Sequence, residues 1–233
     1  MRSLHSLVDT ASRNLAHFRS RRYWVPSYSQ EGEDITLQRW LDVGSGGFYV
    51  DVGAHHPARF SNTALLYSQG WSGINIDPLP GSMHAFRMAR PRDVNLEVAV
   101  GVRGSLTYYM FTESALNTTV RDLARRYTSE GAVPAGQRQV KVVPLVSILE
   151  EFVPKGRSID LLTLDTEGRD LDVLSSNDWS RYRPAWIVAE TLDSSLLQLV
   201  ESQEVQLLVD AGYEPVSKLR NSVIFRDSSR SPV

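Results

Sequence analysis

Apolar residues in this chain come in short runs separated by amphipathic stretches of two or three helical turns. Five runs, FYVDVGA (48–54), GINIDP (73–78), NLEVAVG (95–101), IDLLTLDT (159–166) and AWIVAET (185–191), are too short and too rich in β-branched residues for buried helices. They read as strands. Between them SNTALLYSQG (61–70), MHAFRMAR (83–90), VSILEEFV (146–153) and GRDLDVLSS (168–176) read as helices. This alternation predicts an α/β fold, a mostly parallel sheet with helices on both faces. An earlier helix starts at Glu33 and Asp34, carries the stripe Ile35, Leu37, Trp40 and Leu41, and stops at Gly44. Near the end, VQLLVDAGY (205–213) predicts a last helix, and EPVSKLRNSVIFR (214–226) an antiparallel edge hairpin turning at Arg220 and Asn221. TSEGAVPAGQRQVK (128–141) lacks periodicity and contains Gly, Pro and Gly, so it reads as a loop able to move over the site.

The 233 residues, 42% hydrophobic and 22% charged, fit one ordinary domain. We expect an extension over 1–26, the domain over 27–226 and a loose tail over 227–233. A net charge of −2 gives no footprint for nucleic acid, and no apolar run is long enough to insert stably in a membrane. The absence of cysteine excludes a catalytic thiol, a disulfide framework and a thiolate metal site, and makes the cytoplasm the expected location. The extension differs in character. Leu4, Leu7, Val8, Ala11, Leu15 and Phe18 recur at helical spacing among five arginines and one aspartate. We expect a basic amphipathic helix, packed on its own domain or on a second copy in a homodimer; membrane-surface binding or a transit peptide is the alternative.

In an open α/β sheet the ligand lies outside the carboxyl ends of the strands. The polar residues closing the runs are Asp51, Asp77, Asp165 and Glu190. The loop after the first strand, Ala-His-His-Pro, has no G-x-G-x-x-G to admit a pyrophosphate, which counts against NAD and a nucleotide-sugar oxidoreductase. A ligand with a cationic amino-acid head and an adenosine, S-adenosylmethionine, suits acidic residues at two successive strand ends. Asp51 would face its ammonium directly or through water, Gly53 would allow close backbone approach, and Asp77 would accept from the ribose hydroxyls. Loop capping is the structural alternative for either aspartate.

Several ordered blocks carry a resemblance. SQEGED (29–34), GFYVDVGAHHPARFSNTALLYSQGWSGINIDP (47–78), NLEVAVG (95–101), LNT (116–118), IDLLTLDTEGRDLDVL (159–174) and RPAWIVAE (183–190) resemble the FkbM family of S-adenosylmethionine-dependent methyltransferases, from about Ser29 to Phe225. A fainter similarity is to the bacterial sugar methyltransferases of methylated-mannose polysaccharide synthesis. The resemblance implies a Rossmann-like seven-stranded methyltransferase sheet and methylation at oxygen, often of sugars or polyketide-derived hydroxyls. It also implies that Gln30 and Glu33, with Tyr28 nearby, meet the methionine end of the donor. Asp51, Gly53 and Ala54 would form the first donor motif, Asp77 and Pro78 the ribose and adenine side, and Ala99 and Val100 an adenine wall. The family has an asparagine-type residue where this chain has His55, so no role for the paired histidines is inherited.

A hydroxyl acceptor must lose a proton, which calls for a base or a divalent ion. His55 and His56 are candidate bases, His56 slightly favoured, with Asp165 competing. Asp165 and Glu190 should end neighbouring strands about 4.8 Å apart and could share Mg²⁺, with Glu167 and Asp170 completing the oxygen set; helix-start positions are the alternative for the last two. Asn62 and Asn117 offer amides to a sugar, or cap helices. Trp71 and Trp179 read as core, and Arg121, Arg125 and Arg126 as a solvated face. The expected activity is S-adenosylmethionine-dependent O-methylation of a saccharide or glycosylated metabolite, the alternative being N-methylation on the same fold.

Overall fold

The computed structural model describes residues 24–42, 44, 46–191 and 195–230. The amphipathic helix expected at the N-terminus lies outside the described residues. The first half of the domain runs α1 (Glu33–Leu37), β1 (Phe48–Val52), α2 (Ala64–Ser68), β2 (Ser72–Ile76), α3 (Ser82–Ala89), β3 (Val94–Leu96), β4 (Ala99–Val100) and β5 (Gly104–Phe111). The second half runs α4 (Arg121–Ser129), β6 (Pro134–Val143), α5 (Leu145–Phe152), β7 (Leu161–Leu164), α6 (Asp170–Ser175), β8 (Trp186–Glu190), α7 (Leu196–Leu199), α8 (Gln203–Asp210), β9 (Tyr213–Lys218) and β10 (Ser222–Asp227).

Seven strands form the main sheet in the order β3-β2-β1-β7-β8-β10-β9. The first five are parallel, and β10 pairs antiparallel with both β8 and β9, so the predicted edge hairpin is present. Helices cover both faces because successive side chains alternate between them. Phe48, Val50 and Val52 of β1 join Leu162, Leu164, Ile187 and Ala189 in a core capped by Leu145, Ile148, Val173 and Leu208 from α5, α6 and α8. Tyr49, Leu161, Trp186 and Val188 face the other way, onto Leu37, Leu41 and Leu66. Ile187 is fully buried, so truncating it to alanine would cost about 2–5 kcal/mol. The expected core positions of Trp71 and Trp179 hold: Trp71 is 2% exposed, and Trp179 packs edge-on against Tyr213.

One expectation is corrected. Residues 128–141 are not a mobile loop, since they finish α4 and enter β6, which pairs antiparallel with β5 along a small sheet of order β4-β6-β5. The tail is tied down at its start. Asp227 ends β10 buried, accepts from Arg183 Nη2 at 2.7 Å and from Ser229 N at 3.1 Å, and holds the chain through that turn; residues 231–233 lie outside the described residues. Among the described residues no helix is long and apolar enough to cross a membrane.

From the central strand β1 the chain steps outward to β2 and β3, then returns to the other side of β1 at β7. Strand order therefore reverses between β1 and β7, and the crevice beyond their carboxyl ends is the place for a ligand.

Candidate active site

The crevice holds a cavity of about 360 Å³. Gly53, just past β1, has φ +81°, and a Cβ there would lie 1.7 Å from the Asp165 backbone oxygen. Only glycine lets these two strand ends approach so closely. Asp77, just past β2, borders the cavity and accepts from His55 N at 2.9 Å and Leu79 N at 2.7 Å. Burial pushes its pKa up to about 6. Pro78, Ala99 and Val100 line the same cavity, Ala99 beside its ladder partner Val142 and with Tyr108 in one cluster of the small sheet. Ala54 does not; its methyl packs on Met83 and Phe86 of α3.

Asp51 does not line the cavity. Its parity on β1 is that of Tyr49, so its side chain is turned away from the cavity and accepts from Thr63 Oγ1 at 2.5 Å. The carboxylate is 6% exposed, and burial raises its pKa to about 6 against the pull of Thr63 and Arg90. Tyr28 also stays outside: its ring is surface-exposed, and its backbone holds Asp34 and Ser61 instead.

A smaller pocket, of about 20 Å³, adjoins the first. Gln30, Glu33, Asn62, Asp165, Glu190 and Asn221 are among its walls. Gln30 borders both compartments, whereas Glu33 faces only the smaller, with Oε1 accepting from Ser222 Oγ at 2.8 Å. Asp165, Glu167 and Glu190 each bring a carboxylate oxygen within 4.8 Å of the others. Burial raises all three pKa values, and the neighbouring charges raise Asp165 and Glu190 further. Glu190 Oε2 is buried without a hydrogen-bond partner. Glu167 adopts φ +50° and receives a 2.5 Å hydrogen bond from the Tyr127 hydroxyl. Asp170 stands apart from this triad as the first residue of α6, bonded to Thr166 Oγ1 at 3.0 Å, with a pKa pushed up to about 7 by burial.

The histidines separate as two adjacent side chains must. His55 lines the large cavity and pairs through Nε2 with Ser114 Oγ at 2.9 Å. His56, the favoured base, is exposed and lines neither compartment; its Nδ1 accepts from Ala58 N and Arg59 N and caps the turn. Asn62 donates to Thr163 Oγ1 at 2.8 Å and borders the small pocket. Asn117 lines the large cavity, and its carbonyl accepts from Phe111 N at 2.7 Å. The sequence reading missed Phe60, Ser114, Thr119, Arg169 and Asp172, all cavity residues. Two of them, Arg169 and Asp172, lie inside the quoted block 159–174, and Thr119 follows LNT directly, so the blocks held the available signal.

The cavity fits an adenosyl sulfonium better than a dinucleotide. Asp77, Asp165, Glu167 and Asp172 outnumber its single arginine, Arg169, and there is no glycine-rich phosphate cradle. A mostly parallel seven-stranded sheet of this order with such a cleft at its switch point is a Rossmann-like α/β fold. Residues 51–214 match the profile described as the methyltransferase FkbM domain, and the chain belongs to that family of S-adenosylmethionine-dependent methyltransferases. The family sets aside the oxidoreductase. Among solved structures, a TehB-like S-adenosylmethionine-dependent methyltransferase from Corynebacterium glutamicum is 13% identical, covering 94% of this chain and 99% of its own, with a TM-score of 0.41. N,N-8-amino-8-demethyl-D-riboflavin dimethyltransferase from Streptomyces davawensis is 12% identical over 83% of this chain and 53% of its own, with a TM-score of 0.40. Precorrin-6y C5,15-methyltransferase from Geobacter metallireducens is 13% identical over 83% of each chain, with a TM-score of 0.35. No curated protein matches the chain significantly.

Proposed function

We propose that the enzyme methylates a hydroxyl of a saccharide or glycosylated metabolite. The observation that carries this reading is the pairing of His55, on the donor cavity, with the carboxylate triad beside it. A neutral hydroxyl is a poor nucleophile and needs a group to take its proton; a free amine does not. Burial and the Arg59 charge lower the His55 pKa, which keeps the imidazole neutral and able to accept. Asp165 is the alternative acceptor of the proton. The amides of Gln30, Asn62 and Asn221 line a pocket with room for about one hydroxyl.

The donor would rest its ribose against Asp77 and its adenine among Pro78, Ala99 and Val100; when bound it supplies an activated methyl group. The three carboxylates are an all-oxygen set of the kind that holds Mg²⁺. A divalent ion there would lower the pKa of a hydroxyl bound to it.

Methyl transfer from labelled S-adenosylmethionine to a panel of mono- and oligosaccharides, with EDTA and then Mg²⁺ add-back, tests both parts. O-methyl product supports the reading, and its loss with EDTA and recovery with Mg²⁺ supports the metal. Exclusive N-methyl product on amino sugars would replace the acceptor atom, and no transfer to any sugar would remove the substrate class.

A further inference from the structure

Gln30, Phe60 and Asp165 line the large cavity and the acidic pocket alike. These three residues therefore stand where the two compartments meet. The donor of this family carries its methyl on a sulfonium, which has a full positive charge and no N–H or O–H to donate. Only charge and polarisable surface can recognise it, as a carboxylate or an aromatic ring does. Asp165 supplies the carboxylate.

Phe60 has the features of a residue kept for a ligand. Its φ is +56°, a left-handed conformation that is strained for a bulky side chain. Its ring is 40% exposed, so burial does not compensate the strain. A clamp holds the ring in place. The Arg59 guanidinium lies 4.3 Å from the ring centroid and donates through Nη1 and Nη2 to both oxygens of Glu113, each at 2.9 Å. That pairing fixes the arginine, and with it the ring, in one place. The His55 ring lies within 22° of parallel to it at 6.3 Å.

We propose that Phe60 is a donor-specificity residue whose ring, with Asp165, recognises the sulfonium charge and favours the methyl donor over its neutral thioether product. The inference goes beyond the proposed function and holds whatever the acceptor is.

Titration calorimetry with S-adenosylmethionine and S-adenosylhomocysteine on the full chain tests it without an acceptor. Phe60→Leu keeps apolar bulk but removes the ring, and Phe60→Tyr keeps the ring. Phe60→Asn, which tolerates the left-handed backbone, is a second ring-free variant should the leucine fail to fold. In the ring-free variants the Kd for S-adenosylmethionine should rise about 3- to 30-fold while that for S-adenosylhomocysteine stays within about twofold, the tyrosine restoring the ratio. Equal weakening of both ligands, or no change in either, overturns the inference with the donor reading intact. A wild-type chain that binds neither compound overturns the donor reading and this inference together.

Discussion

The carboxylates of Asp165 and Glu190 converge from the ends of adjacent parallel strands, and among the described residues no lysine, arginine or histidine lines the pocket they share. Burial and mutual repulsion raise both pKa values. At neutral pH the pair in the ligand-free protein therefore keeps a proton that the unfolded chain gives up at about pH 4. Like charges gathered without a counter-ion are a cost to folding, which a bound cation would relieve.

That cost has a pH signature. Where the folded state binds more protons than the unfolded one, stability falls as pH rises, by about 1.4 kcal/mol per pH unit for each extra proton held. The two histidine pKa values are lowered instead, so they act only below their ordinary value of about 6.5. From about pH 6.5 to 9 the carboxylates dominate, and the melting temperature of the ligand-free protein should decline across that window. Glu190→Gln should flatten the decline and raise the melting temperature at its alkaline end. A wild-type melting temperature that is constant or rises over the window would contradict the assignment.

Asp77 and Asp51 should separate in a binding experiment. Asp77 faces the cavity, so Asp77→Asn should weaken S-adenosylhomocysteine binding about 10- to 100-fold, the worth of a charge-assisted hydrogen bond in a dry site. Asp51 faces Thr63 instead, so Asp51→Asn should lower stability while leaving affinity within about threefold. Calorimetry and urea denaturation of the two variants report each quantity. The reverse ranking of affinities would return Asp51 to the donor site.

The strand ends were legible in the sequence because both faces of β1, β2, β7 and β8 are covered, and coverage writes continuous apolar runs closed by acids. The small sheet was not. In β6 the first six residues are exposed, and only Val140 and Val142 are buried, too little alternation to register. Asp51 closes an apolar run as Asp77 and Asp165 do, but its parity with Tyr49 puts its side chain on the face where Thr63 lies. His55 and His56 could not be told apart, because the left-handed turn at His55, φ +52°, decides which ring enters the cavity. Phe60 and Tyr127 reach the site through loop geometry and from a remote helix, and neither leaves a periodic trace.

The histidines give a kinetic contrast. If His55 accepts the proton, kcat/KM should stay level through neutral pH and fall only below the ordinary histidine value of about 6.5, because burial and Arg59 depress its pKa. His55→Asn, which suits the left-handed backbone, should cost about 100-fold or more in kcat. His56→Ala loses a turn cap outside both compartments and should cost about 1 kcal/mol of stability with little change in rate. Equal loss of kcat in the two variants would sink the assignment to His55.

Arg90 is the residue on which the loop carrying Phe60 and Asn62 depends. It is 1% exposed, and it donates to Pro57 O through Nε and Nη2, to Ser61 Oγ through Nη2 at 2.8 Å, and to Thr63 Oγ1 and Asn75 Oδ1 through Nη1 at 2.8 and 3.2 Å. The nearby charges of Asp51 and Asp93 balance the guanidinium, and Asp93 in turn accepts from the Tyr49 hydroxyl and from Asn75. One planar fork thus fastens residues 57–63 to β2. Methionine at this position fills the space but leaves several buried acceptors and two carboxylates without it. Arg90→Met should therefore lose at least about 3 kcal/mol, a fall of roughly 6–12 °C in melting temperature for a domain of this size. Arg90→Lys should recover only part of the loss, since an ammonium is a point donor with no fork. Urea midpoints at unchanged m-value measure both losses; a methionine variant within about 1 kcal/mol of wild type would mean that the loop is fixed by other contacts.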